Sequence, residues 1–103
     1  MDIGTRNSQA AYAKVRANEI IGLESLLRTT LRALAICVAR QSDRATARQL
    51  AERARALGDR LMAAVDDLEE DDTERAARAM AEHLIGRLAA LERIAEGQAT
   101  LLS

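Results

Sequence analysis

Proline, phenylalanine and tryptophan are absent from this 103-residue sequence, and tyrosine, histidine, cysteine and lysine occur once each. Without proline, no residue is barred from the interior of a helix. Aromatic residues make up only 1% of the chain, so residues that favour strands are scarce. The residues that dominate instead are Ala, Leu, Arg and Glu, which favour helices. The composition therefore predicts an all-α protein.

A single cysteine, Cys37, excludes an internal disulfide and a metal site built from several thiols. The sequence predicts neither a metal nor a cofactor. The residues after Met1 lack the apolar stretch of a signal peptide, and the apolar run 33–39 is far shorter than the roughly 20 residues that cross a bilayer. We expect a cytoplasmic protein that does not insert into a membrane, since free cysteine is typical of a reducing compartment.

The charges nearly balance over the whole chain, with a formal net charge of -1. They are distributed unevenly along it, because residues 1–60 carry eleven basic and six acidic side chains while residues 61–103 carry four and ten. All basic residues but Lys14 are arginine, the side chain best suited to pairing with carboxylates. This pattern favours partners with acidic surfaces, including a second copy of the chain.

Hydrophobic periodicity divides the chain into three helices with two short polar breaks. The predicted helices span residues 9–41, 43–68 and 73–101. Ser8, Ser42 and Asp71 are the predicted N-caps, and Glu74 has the capping-box spacing from Asp71. Breaks this short favour antiparallel neighbours, so we expect a bundle of three long helices running up, down and up.

The second and third helices each carry apolar residues at alternating spacings of three and four, a heptad pattern typical of helix packing. In the second helix these are Ala47, Leu50, Ala54, Leu57, Leu61, Ala64 and Leu68. In the third they are Ala77, Ala81, Leu84, Leu88, Leu91, Ala95 and Leu102, with Gln98 the only polar member. Three glycines, Gly22, Gly58 and Gly86, fall at similar heights in this arrangement and predict a close helix crossing.

The first helix has a wider apolar face than a three-helix bundle can cover, and Ile21 and Ile36 lie off its main stripe. We therefore expect dimerisation to complete the bundle, or a helix of another protein to do so. The alternative is a self-contained monomer with exposed isoleucines. The predicted partner-binding residues are Ile21, Leu23, Leu26, Ile36, Arg40, Arg44 and Arg48.

Tyr12, Arg16 and Glu19 share one side of the first helix, because they are spaced by four and three residues. A phenol, a guanidinium and a carboxylate together can bind an anion or transfer a proton. They can also form an ion pair that closes one end of the bundle, which the sequence favours. His83, the only histidine, is a fourth candidate for a ligand site, although packing or exposure is its simpler interpretation.

Seven acidic residues between positions 66 and 74 could attract a cation, but they lack the glycine and the ligand spacing of a calcium loop. The arginines near residue 44 could hold phosphates, but no aromatic residues accompany them to stack bases. A solvated surface is favoured over a nucleic-acid site.

These patterns predict a small helical protein-protein interaction module, such as an adaptor, a regulator or a chaperone of protein export, acting through an apolar helix face. Two alternatives remain open. One is a small helical enzyme or ligand-binding protein with an Arg/Glu site, and the other is a regulator associated with nucleic acid. Catalysis is the weaker expectation, because no nucleophile and base stand at a recognisable spacing.

Overall fold

The protein consists of three helices that pack against one another. The computed structural model describes the backbone of residues 2–102 and the side chains of Tyr12 and residues 14–98. α1 spans Asp2–Ala39, α2 spans Arg44–Asp66 and α3 spans Asp72–Leu102. No strand occurs among the described residues. The prediction of an all-helical bundle of three long helices is confirmed.

Two helix starts differ from the predicted ones. α1 begins at Asp2, so Ser8 lies within the helix and is not its cap. No proline in this stretch stops the helix from extending towards the chain start. The N-cap of α2 is Asp43 rather than Ser42, because an Asp43 carboxylate oxygen accepts the amide hydrogen of Ala45 at 3.1 Å. The second oxygen accepts a hydrogen bond from the Thr46 hydroxyl at 3.1 Å.

The start of α3 follows the predicted capping spacing. The carboxylate of Asp71 accepts the amide hydrogen of Glu74 at 2.9 Å. The Glu74 carboxylate is buried and accepts a hydrogen bond from Arg78 at 2.7 Å, and Arg78 also pairs with Asp66 at 2.8 Å. These bonds tie the first turn of α3 to the last residue of α2.

α1 ends in a turn that reverses the chain towards α2. The Gln41 amide donates to the Val38 carbonyl at 3.1 Å, and the Ser42 amide donates to the Cys37 carbonyl at 3.0 Å. Gln41 has φ 51, in the left-handed region that glycine usually occupies. This double hydrogen bond satisfies carbonyls at the helix end and allows the short connection.

The core is a single apolar cluster contributed by all three helices. Leu27, Leu31 and Leu34 of α1 lie at its centre, with relative exposures of 0–1%. The predicted seam residues of α2, and those of α3 as far as Ala95, belong to this cluster or pack against it, whereas Leu102 lies outside the described side chains. Its buried members are Ile20, Leu23, Leu27, Leu31, Leu34, Val38, Ala54, Leu57, Leu61, Ala64, Val65, Ala81, Leu84 and Leu88.

Contacts at both ends of the bundle define the helix directions. Arg16, in the first half of α1, pairs with Asp67 just beyond α2 at 2.9 Å, so α2 runs antiparallel to α1. The Gln98 amide donates to the Val38 carbonyl at 3.0 Å, which places the end of α3 beside the end of α1. The resulting bundle is narrow, measuring 67 × 20 × 15 Å. Within the described residues, no helix is long and apolar enough to cross a membrane.

The prediction of a close crossing at three glycines holds at one of them only. A Cβ on Gly58 of α2 would lie 3.4 Å from Ile85 of α3, so α2 and α3 approach closely there. Gly22 and Gly86 are exposed, and a Cβ on either would meet nothing within 4 Å. The similar positions of Gly22 and Gly86 along the bundle therefore do not mark a close contact between helices.

We expect Gly22→Ala and Gly86→Ala each to raise the free energy of unfolding by about 0.5–1 kcal/mol. Alanine restricts the unfolded chain and clashes with nothing at either position. Thermal and urea unfolding followed by circular dichroism would measure the change. Gly58→Ala is the matched control and should gain less, because its Cβ contacts Ile85. A loss of stability at Gly22 would contradict the open environment described.

Candidate functional site

A cluster of polar side chains joins the start of the bundle to the connection between α2 and α3. Arg16 donates to Glu19 at 2.6 Å and to the Tyr12 hydroxyl at 2.6 Å, and its guanidinium pairs with Asp67 at 2.9 Å. The guanidinium carbon lies 5.3 Å from the centre of the Tyr12 ring. The structure therefore brings together three of the predicted ligand-site residues and adds Asp67, which the sequence analysis did not include.

The contacts of Arg16 determine what this cluster can do. The hydrogen bond with Tyr12 raises the pKa of Arg16, and the charges of Glu19 and Asp67 add to that effect. The two terminal nitrogens already have acceptors, while Nε is buried without a hydrogen-bond partner. An anion that binds at the terminal nitrogens would compete with Glu19, Tyr12 and Asp67 for their hydrogens. The arrangement therefore favours a link between α1 and the α2–α3 connection.

His83 does not belong to this cluster. It is exposed on α3, and the Gln98–Val38 contact places it level with Leu23, about 10 Å along the bundle from Arg16. Among the described residues, no group of three or more His, Cys, Asp or Glu side chains could hold a metal ion. The acidic turn, defined here as residues 66–74, is instead bound by Arg16 and Arg78.

At the opposite end, the three helices separate around a cleft of about 360 Å³. Its apolar floor includes Leu34, Val38 and the buried thiol of Cys37, which donates to the Asp43 carbonyl at 3.8 Å. The alanines Ala47, Ala51 and Ala95 line its walls. The cleft exists because the α2 and α3 seams carry small side chains at this level.

Charged side chains of both signs surround this cleft. Arg44, Arg48 and Arg55 come from α2, and Glu52, Glu92 and Glu96 come from α2 and α3. Arg55 and Glu92 form an ion pair at 2.8 Å that connects α2 to α3. Two of the predicted partner-binding arginines, Arg44 and Arg48, thus line a cleft of balanced charge, while Arg40 is exposed beside the α1–α2 turn.

A second surface follows the groove between α1 and α3. The groove has a volume of about 320 Å³ and is lined by Arg28, Arg32, Ala35, Ile36 and Ala39 of α1 and by Arg87 of α3. It has no carboxylate in its lining. Of its arginines, Arg28 pairs with Glu24 at 2.9 Å.

Exposed isoleucines adjoin this groove on the same side of the bundle. Ile21 precedes Arg28 by seven residues and Ile94 follows Arg87 by seven, so each lies on the same side of its helix as the groove. Ile21, Ile36 and Ile94 are 62%, 47% and 51% exposed. We call this surface the α1/α3 face and define it by these three isoleucines and the groove residues.

The other two predicted apolar contacts lie elsewhere. Leu23 is only 4% exposed and belongs to the core, because its position on α1 is turned towards the other helices. Leu26 is 49% exposed but lies about 80° around α1 from Ile36, so it is outside the α1/α3 face. Sequence analysis missed Ile94, although its position between the seam residues Leu91 and Ala95 already placed it off the core stripe.

We expect Arg16→Met to lower the melting temperature more than Arg28→Met does. Arg16 links α1 to the acidic turn, whereas Arg28 pairs, among the described side chains, with Glu24 of its own helix alone. Melting curves at low and high salt would show a difference that shrinks as salt screens the ion pairs. Equal effects of the two substitutions would mean that the Arg16–Asp67 contact does not stabilise the bundle.

We expect Ala51→Leu to stabilise the protein by about 0.5–2 kcal/mol, because the larger side chain fills the cleft with apolar atoms. Urea unfolding measures this gain. Ala45→Leu is the matched control, since Ala45 is exposed on α2 and does not line the cleft. A destabilised Ala51→Leu variant would show that the walls of the cleft are closer together than described.

No protein-family model, curated protein or solved structure matches this chain. The assignment of its function therefore rests on the contacts, burial and charges of its own residues.

Proposed function

We propose that this protein is a small helical protein-protein interaction module that forms a homodimer through the α1/α3 face. The observation that supports this function is the exposure of Ile21, Ile36 and Ile94 on one side of a folded bundle. Exposed apolar residues grouped in this way are typical of protein interaction sites. A helix of another protein with the same chemistry is the second kind of partner that this face suits.

The physical basis is the burial of apolar surface. An isoleucine transferred from water into an interface contributes about 1.5–3 kcal/mol when it becomes fully buried. The bundle is 15–20 Å across in its two short dimensions, so each helix of the three has a side turned to solvent. On the α1/α3 face this side carries exposed isoleucines among the groove arginines, whereas a solvated helix side normally carries polar residues alone.

Two features distinguish this proposal from a small enzyme. The Tyr12, Arg16 and Glu19 side chains are engaged with one another and with Asp67, and their bonds join parts of the fold. The cleft at the other end has an apolar floor, and the Arg55–Glu92 pair links α2 and α3 at its edge. Each arrangement has a structural role within the monomer, whereas the α1/α3 isoleucines are about half exposed and lie outside the core cluster.

Sedimentation velocity of the full chain tests the proposal. We expect the wild-type protein to sediment as a dimer, and Ile36→Glu with Ile94→Glu to sediment as a monomer with unchanged helicity. The two substitutions remove the apolar surface that the dimer buries, so its dissociation constant should rise by at least about a hundredfold.

Ala56→Glu is the control, because Ala56 is exposed on α2 and lies outside the α1/α3 face. This variant should remain a dimer. A wild-type monomer at all accessible concentrations would overturn the homodimer, and a variant dimer as stable as the wild type would overturn the assignment of the face.

A further inference from the structure

The charges of this bundle are segregated along its length. The half around the α1–α2 turn comprises residues 28–55 and 87–98 and contains nine arginines and four carboxylates, a net charge of +5. The half around the acidic turn comprises residues 12–27 and 56–86 and contains five basic and eleven acidic side chains, a net charge of -6. The asymmetry noted in the sequence therefore becomes a separation of charge between the two ends of the folded molecule.

We infer that two copies associate antiparallel across the α1/α3 face, with the acidic turn of each against the arginines of the groove on the other. This inference rests on the proposed homodimer and adds its orientation and its charged contacts. A parallel dimer would place the two positive halves together and the two negative halves together. The antiparallel dimer replaces both repulsions with attractions.

The groove has the chemistry that the acidic turn complements. Its lining contains Arg28, Arg32 and Arg87 but no carboxylate. Arg32 and Arg87 have no ion-pair partner among the described side chains, so they are available to an external anion. In the acidic turn, Glu69 and Glu70 are exposed and likewise unpaired within the described part of the chain. Guanidinium and carboxylate groups form the strong, charge-assisted hydrogen bonds found at interfaces.

The lengths of the two features agree with this orientation. The Arg16–Asp67 ion pair places the acidic turn level with Arg16 on α1. An antiparallel pair whose two-fold axis passes level with residue 26 of α1 sets Arg16 of one copy level with Ile36 of the other. Ile36 lines the arginine groove. This register brings the acidic turn of each copy level with the arginine groove of the other, and two-fold symmetry makes the contact occur twice.

Exchange of the charges tests the orientation. One variant carries Arg32→Glu and Arg87→Glu, and the other carries Glu69→Lys and Glu70→Lys. Each alone makes both contacts of its homodimer repulsive, so we expect each homodimer to weaken about tenfold or more in sedimentation experiments. A mixture of the two places glutamates opposite lysines in one contact and leaves arginines opposite acids in the other. The mixed dimer should therefore recover close to wild-type affinity, and native mass spectrometry can identify it by mass.

The matched control is Arg53→Glu with Arg60→Glu, which changes the net charge equally on exposed positions of α2. It should dimerise like the wild type, and it should not pair preferentially with the lysine variant. Circular dichroism confirms that each variant folds. If a variant loses helicity, Arg32→Gln with Arg87→Gln and Glu69→Gln with Glu70→Gln replace the reversals, and each should weaken the dimer by a smaller factor.

The outcomes separate this inference from the proposed function. A wild-type dimer that neither charge reversal weakens would overturn the antiparallel contact and leave the homodimer intact. Weakened homodimers without a restored mixture would also overturn it. A wild-type monomer would overturn the homodimer itself. Weakening of both variants with recovery in the mixture, and no such recovery with the α2 control, supports the inferred contact.

Discussion

Three leucines of α1, Leu27, Leu31 and Leu34, are buried between the other two helices, and the rest of the bundle depends on this contact. Among the described residues, α1 contributes seven buried apolar side chains, compared with five from α2 and three from α3, so its buried side is the widest of the three. α2 and α3 need only a narrow stripe each, which leucine and alanine provide. Small seam residues allow the helices to pack closely. At the α1–α2 end, Ala47, Ala51 and Ala95 are too small to fill the space between the helices, and the cleft lies there.

The helical periodicity was sufficient to predict the fold class, because leucine and alanine recur at spacings that only a helix brings to one side. The helix ends were less predictable. Ser42 and Asp43 are adjacent capping residues, and the sequence gives no reason to choose the carboxylate that in fact accepts the Ala45 amide hydrogen. Ser8 resembles a cap equally well, but a cap forms only where the preceding residues leave the helix, and no proline forces them to do so.

For the candidate sites, contacts within one helix were predictable from the sequence, and contacts between helices were not. Tyr12, Arg16 and Glu19 are neighbours by helical spacing, so their grouping was predictable. Asp67 was not, because its position depends on how far α2 extends before the chain turns. The arginine groove depends on the rotation of α1 relative to α3, which the spacing of the α3 seam defines only within a fraction of a turn. The assignment of Ile94 to the same exposed face as Ile36 therefore required the structure.

One feature gives the protein a spectroscopic property of practical use. Tyr12 is the only aromatic side chain, and its hydroxyl accepts a hydrogen bond from Arg16 while its ring lies beside the guanidinium. Fluorescence and near-ultraviolet absorption therefore come from a single ring at the acidic end of the bundle. Opening of that end separates the Tyr12 ring from Arg16 and changes the tyrosine emission, whereas events at the distant α1–α2 turn leave the emission unchanged. The natural chain thus contains its own local reporter, with no background from a second ring.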